Sequence, residues 1–194
     1  MSTVIYCIRM YSEWHCSSGL STGAGDDLLV IRDERGLPFI PGKTLKGLLR
    51  DAAEKLSVLN HLPDDFTTTL FGARTESATE SSATLGGAST LGVCHFSNAE
   101  LTGKAKKIAE YNGLHLLYRS RALTSVDQAG LAVNKTLRRQ ETVVPLTLFA
   151  RVTGVPKEHR ENLENCMRFV KHLGVNRNRG LGRCDLAPSK EVAE

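Results

Sequence analysis

The sequence predicts an α+β fold built on a βαββαβ unit. Two observations carry this. Apolar, β-branched stretches and two amphipathic stretches follow one another in the order strand, helix, strand, strand, helix, strand. The two helical stretches carry apolar residues at i, i+3, i+4 and i+7, the stripe of a core-facing helix. The composition, 41% hydrophobic and 24% charged, is that of an ordinary globular chain. The 194 residues suit one domain, 1–194, with ample length for a core. Three insertions interrupt the unit, at 12–43, 60–92 and 120–142.

Thr3 to Tyr11 (TVIYCIRMY) reads as the first strand. Ser12 to Asp27 is a glycine-bearing loop, Leu28 to Arg32 a short extended run, and Glu34-Arg35-Gly36 a turn. A helix is expected over about Thr44 to Leu59, with Leu45, Leu48, Leu49, Ala52, Ala53, Leu56 and Leu59 inward and Pro63 as the breaker. Thr67 to Gly92, rich in Ser, Thr, Ala and Gly, reads as a long flexible loop. Val93 to Ser97 is the second strand and Leu114 to Arg119 a third.

Ser120 to Glu141 has weak periodicity and several cations, and reads as an exposed hairpin turning at Gly130. Thr142 to Thr153 is a strong strand, with Pro145 marking an edge or bulge near its start. Pro156 suits a helix start, and Leu163, Cys166, Met167, Val170 and Leu173 form the second stripe, closed by Gly174. Leu181 to Leu186 is the last strand.

The net charge of +4 does not by itself identify nucleic acid as a partner. The five cysteines include no Cys-x-x-Cys pair, so neither a disulfide framework nor a zinc knuckle is written here. His15-Cys16 and Cys94-His95 are adjacent pairs that could help bind a metal; buried thiols are the simpler reading. Reduced thiols suit a cytoplasmic protein, and neither a signal peptide nor a membrane-spanning run is present.

Two segments carry chemistry. The first runs from Leu37 to Arg50 (LPFIPGKTLKGLLR). Pro38 and Pro41 fix two φ angles, and Gly42 is expected to free the next. A helix start is partly positive and favours acids, yet this one carries Lys43 and Lys46, with Arg50 on the same face. Free N–H groups, a glycine and lysines suit a phosphate; a solvated basic face is the alternative. The second segment is Gly174 to Arg183 (GVNRNRGLGR). Its glycines allow close approach to a ligand, and Arg177, Arg179 and Arg183 supply forked donors for a phosphodiester backbone. The alternative is a tight turn with solvated arginines. His15, beside Trp14, could act as a base or stack on a nucleotide, or simply be packed.

Pro38 to Arg50 resembles the proline-glycine-leucine-lysine-glycine signature of the RAMP superfamily, and Asn176 to Arg183 resembles that superfamily's C-terminal glycine-rich loop. Gly25 to Asp33 is similar to the segment that precedes the signature in the backbone subunit of type III CRISPR effector complexes. The resemblance implies a modified ferredoxin-like, RRM-like palm with a thumb hairpin in the place of 120–142. It implies an antiviral-defence subunit that multimerises along a CRISPR guide RNA, pairs it with target RNA and joins copies of itself and other effector subunits, with no membrane.

The implied RNA-binding residues are His15, Lys43, Thr44, Lys46, Arg50, Arg121, Lys135, Arg138, Arg139, Arg177, Arg179 and Arg183. Asp27 takes the place of a carboxylate that supports metal-dependent cleavage of target RNA with Mg²⁺ or Mn²⁺. Asp26-Asp27 can also be a polar turn. Thr67 to Gly72 lacks the cysteines that some relatives carry there, so no zinc is expected. Two alternatives remain: a purely structural RNA-binding subunit with cleavage by a partner nuclease, and a stand-alone guide-processing endoribonuclease using His15.

Overall fold

The computed structural model describes residues 1–19, 28–73 and 91–189. Its centre is a four-stranded antiparallel sheet of β1 (Ser2–Met10), β2 (His95–Phe96), β5 (Thr147–Val155) and β6 (Cys184–Pro188), in the order β2-β5-β1-β6. Along β1, Val4, Tyr6, Ile8 and Met10 are buried and the residues between them are not, the period-2 signature of a half-covered strand. Two longer helices supply the cover, α1 (Gly42–Val58) and α4 (Arg160–Phe169). They touch each other, α1 reaches β2, and α4 reaches β6. Leu45, Leu49 and Ala53 of α1 and Leu163, Cys166 and Met167 of α4 join the sheet's inward residues in one core. The α+β class and the alternation of sheet strands with two longer helices are as the sequence predicts.

Several boundaries differ, each for a local reason. The stretch read as one strand over Thr142 to Thr153 is two. β4 (Arg138–Val143) pairs with β3 (Tyr118–Leu123) in a separate two-stranded sheet, and β5 begins at Thr147. Pro145 stands in the bend between them, where its missing N–H breaks no ladder. Leu114–Leu117 forms a 3-10 turn instead of starting a strand. Between β2 and that turn lies α3 (Gly103–Ile108).

Phe66–Phe71, assigned to a flexible loop, is a short helix, α2, with Phe66, Leu70 and Phe71 buried. Phe71 stacks on Phe96 at 5.6 Å, and Phe66 meets His159 edge-on at 5.4 Å. Six residues are too few for a helical period to show in sequence. Within that insertion, 74–90 lie outside the described residues. α4 stops at Phe169, before Gly174; Val170 and Leu173 stay buried in extended chain.

Candidate nucleic-acid interface

At the start of α1, Pro41 occupies the N-cap position and has no side chain that could cap. Asn98, from the segment after β2, fills the role: its Oδ1 accepts the Gly42 N–H at 2.9 Å. Gly42 does not use glycine's freedom at φ. It is glycine because a Cβ there would overlap the Phe96 carbonyl oxygen. The first turn holds no acid, and Lys43 and Thr44 project from it, both exposed.

The glycine-rich segment lies beside this helix start. Its glycines also serve the protein's own backbone. A Cβ on Gly174 would strike the His15 carbonyl, and one on Gly182 the Leu173 carbonyl. The hydrogen bonds follow the same contacts: Val175 N–H to His15 O at 2.9 Å, Gly182 N–H to Glu13 O at 2.8 Å, and Leu173 N–H to Gly182 O at 2.9 Å. Asn176 stands at φ 58°, and its Nδ2 donates to Gln140 Oε1 at 2.8 Å. This framework presents Arg177 and Arg179, on a 3-10 turn, to solvent.

Between the two segments lies a cavity of about 430 Å³. Lys43, Thr44 and Arg177 line its exposed side, and Ile31, Leu48 and Leu173 its more buried side. Residues far apart in the chain thus share one concave surface, where the cations Lys43 and Arg177 stand with one acid, Asp51, the hydroxyls of Ser17 and Ser18, and the apolar side chains. The other basic residues divide. Lys46 lies toward Cys94, whose thiol burial pushes up to about 11 while Lys46 lowers it. Arg50 is tied inward, to the Gly72 carbonyl at 2.8 Å and to Glu54 at 3.2 Å, and is no free phosphate ligand. Arg183 lines a separate hollow with Tyr11, Lys171 and Asp185.

The β3–β4 hairpin spans the predicted thumb and turns at Asp127–Gly130, where Asp127 Oδ1 accepts the Ala129 and Leu131 N–H groups. Lys135 and Arg138 are exposed on it and make no ion pair among the described residues; Arg139 is exposed too, but partnered. Arg121 is paired to Glu13 at 2.7 Å, with Arg119 near the same carboxylate at 3.6 Å.

Glu141 fastens the hairpin's foot to the loop ahead of α1. Its carboxylate accepts from the Val30 N–H at 3.1 Å and from the Arg32 guanidinium, and its N–H donates to Leu28 O at 3.0 Å. The Arg32 guanidinium also lies 3.8 Å from the centroid of the Tyr118 ring. Burial pushes the Tyr118 hydroxyl up to about 12, with Arg32 offsetting part of the push.

His15 is 0% exposed. Its Nδ1 lies 2.6 Å from the Glu141 carbonyl oxygen; a carbonyl can only accept, so Nδ1 carries the proton. This is a packed histidine, not an exposed base or stacking platform. Cys16, Cys166 and Cys184 are buried thiols pushed up to about 12, chiefly by desolvation. Among the described residues no three metal-ligating side chains come together. Asp26 and Asp27 lie outside the described residues. Sequence reasoning missed Asn98, Glu13, Gln140 and Glu141. Only Glu141 left a signal, as an acid at the head of an apolar strand.

A family model described as the RAMP superfamily matches residues 8–185. No curated protein matches the chain. Two similar solved structures are those titled "Cryo-EM structure of the Type III-B Cmr-beta bound to cognate target RNA" and "Type III-B Cmr-beta Cryo-EM structure of the Apo state". The first superposes with a TM-score of 0.70 at 13% identity, covering 97% of each chain. The second gives 0.66 at 14% identity, covering 97% of this chain and 98% of the other.

Proposed function

We propose, because this chain belongs to the RAMP superfamily, that it is an RNA-binding backbone subunit of a CRISPR type III effector complex. The observation that carries the reading is the shared cavity edge, where Lys43 and Thr44 of α1 meet Arg177 of the glycine-rich segment. Cations held by a rigid backbone framework suit a phosphodiester chain, which is bound by charge and shape while base pairing reads sequence. The exposed hairpin, with Lys135 and Arg138, extends the same surface chemistry toward a guide–target duplex. The match to chains of Cmr-beta, one bound to target RNA, supports a place among other effector subunits; multimerisation along the guide is part of the same proposal.

In this reading Asp27 holds the ion for target cleavage. A single carboxylate suits Mg²⁺, which keeps several waters and draws further ligands from phosphate oxygens. The ion would supply charge stabilisation at the scissile phosphate. Leu28, the next residue, is hydrogen-bonded to the hairpin through the Arg139 carbonyl at 3.3 Å. The burial of His15 disfavours a processing endonuclease that uses it as base.

The test is target RNA cleavage by the guide-loaded assembly, with and without Mg²⁺, for wild type and Asp27→Ala. Cleavage that needs the ion and disappears in the variant, with binding kept, supports the nuclease reading. Binding without cleavage in the wild type makes the subunit a scaffold for a partner nuclease.

A further inference from the structure

Gly174, Asn176, Gly180 and Gly182 of the glycine-rich segment all stand at a left-handed φ. The glycines are what such a backbone favours. Asn176 brings a side chain to the same conformation and does not use it locally. It is the N-cap of the 3-10 turn Arg177–Arg179, and its carbonyl accepts the Arg179 N–H at 2.8 Å, yet its side chain caps none of that turn's N–H groups. Its Nδ2 donates instead to Gln140 Oε1, 2.8 Å away on β4. Gln140 is equally out of place. It is 0% exposed, and its Nε2 has no hydrogen-bond partner among the described residues. A buried amide with a donor unmet costs stability, so packing alone would favour an apolar residue there. Neither side chain lines the cavity, whereas Arg177 does.

We propose that Gln140 and Asn176 are positioning residues for Arg177: their hydrogen bond ties the turn that carries this arginine to the hairpin and so sets where a phosphate is held. The inference deepens the RNA-binding reading above and rests on it. A second tie runs beside the first. The Val175 N–H donates to the His15 carbonyl, and His15 Nδ1 donates to the Glu141 carbonyl, so two successive residues ahead of Arg177 are joined to two successive residues of β4. The setting of Arg177 matters because the cavity lining also includes an acid, Asp51. A guanidinium held clear of that carboxylate is available to a phosphate; one free to swing onto it is neutralised. Arg177 makes no ion pair among the described residues.

The test is the salt dependence of binding to a fluorescein-labelled oligouridylate. It compares wild type, Arg177→Ala, Asn176→Gly, Gln140→Leu and the double variant Asn176→Gly with Arg177→Ala. Glycine accepts the left-handed φ and removes only the side chain; leucine fills the buried position without the amide. Arg177→Ala should lower the slope of log affinity against log salt by about one, the share of one phosphate contact. Asn176→Gly and Gln140→Leu should each lower it by a similar amount, although neither changes the net charge. The double variant should match Arg177→Ala, since the asparagine acts through the arginine. Should Gln140→Leu fail to fold, Asn176→Gly and the double variant decide alone.

An unchanged slope in Asn176→Gly would leave the asparagine a backbone role only and overturn the proposal. So would a double variant that loses about twice as much as Arg177→Ala, which would put the Asn176 side chain on the RNA itself. A slope lost in Asn176→Gly but kept in a folded Gln140→Leu would have the same meaning. If Arg177→Ala matches a wild type that binds, Arg177 holds no phosphate and only this inference fails. If the wild type does not bind the oligouridylate, the RNA-binding reading fails and carries the inference with it.

Discussion

The cavity edge and the foot of the hairpin are both rich in arginine and lysine, and they use those residues in opposite ways. At the hairpin's foot the cations are bound inward: Arg32 to Glu141 and over Tyr118, Arg121 to Glu13 with Arg119 alongside. At the cavity edge, Lys43 and Arg177 make no ion pair among the described residues. What is held tightly there is the backbone beneath them, by glycines packed against carbonyls and by Asn98 and Asn176. One region uses charge to build structure, and the other uses structure to leave charge available. A count of cations along the chain cannot separate the two.

The largest effect expected from breaking this division lies under the cavity edge. Gly182→Ala combines a left-handed φ of 69° with overlap on the Leu173 carbonyl and should cost ~3 kcal/mol or more in urea unfolding. Gly180→Ala shares the left-handed φ, at 85°, but opens onto empty space and should cost only ~1 kcal/mol. Equal costs at the two positions would remove the argument that packing on the protein's own backbone sets this loop.

At the hairpin's foot, Glu141→Ala leaves the Val30 N–H and the Arg32 guanidinium unpaired. Because the Arg32 side chain is 40% exposed, the cost should be ~2 kcal/mol, below that of a fully buried pair. Adding Arg32→Ala should then cost little more, and a double-mutant cycle on unfolding free energies measures the coupling. Additive costs would dissolve the pair. Arg121→Ala, at an exposed bridge to Glu13, should change stability by less than ~0.5 kcal/mol.

The smallest effect concerns pH. The Asp185 carboxyl is held below the ordinary range, first by its hydrogen bond with Lys171 and then by that with Tyr11. A lowered carboxylate stabilises above its unfolded value, and the gain is lost as pH falls through the folded one. Both partners are largely exposed, so Asp185→Asn should flatten acid unfolding only slightly.

The two longer helices and the sheet strands were legible because their periods are long and their apolar residues regular. α2 was not, since six residues hold less than two turns. The break at Pro145 was visible as a breaker, but the sequence did not show that the two sides join different sheets. At the site, Lys43 and Arg177, 134 positions apart in the chain, line one cavity. Arg50 and Arg121 carry the same letters and are held by Gly72 and Glu13, partners distant in sequence. In sequence a glycine that makes room for a ligand looks the same as one that makes room for the protein, and Gly42, Gly174 and Gly182 make room for the protein. Such partnerships come from tertiary contact, which no local pattern records.

The most direct test of the division is the salt dependence of RNA binding by two double variants. Lys43→Ala with Arg177→Ala removes the available cations; Arg50→Ala with Arg121→Ala removes the same charge from residues bound inward. The first pair should weaken binding and lower the slope of log affinity against log salt by about two, roughly one per phosphate contact. The second should leave the slope unchanged, whatever it does to stability. Equal slopes for the two variants would contradict the account, because RNA would then respond to net charge alone and not to where the fold presents it.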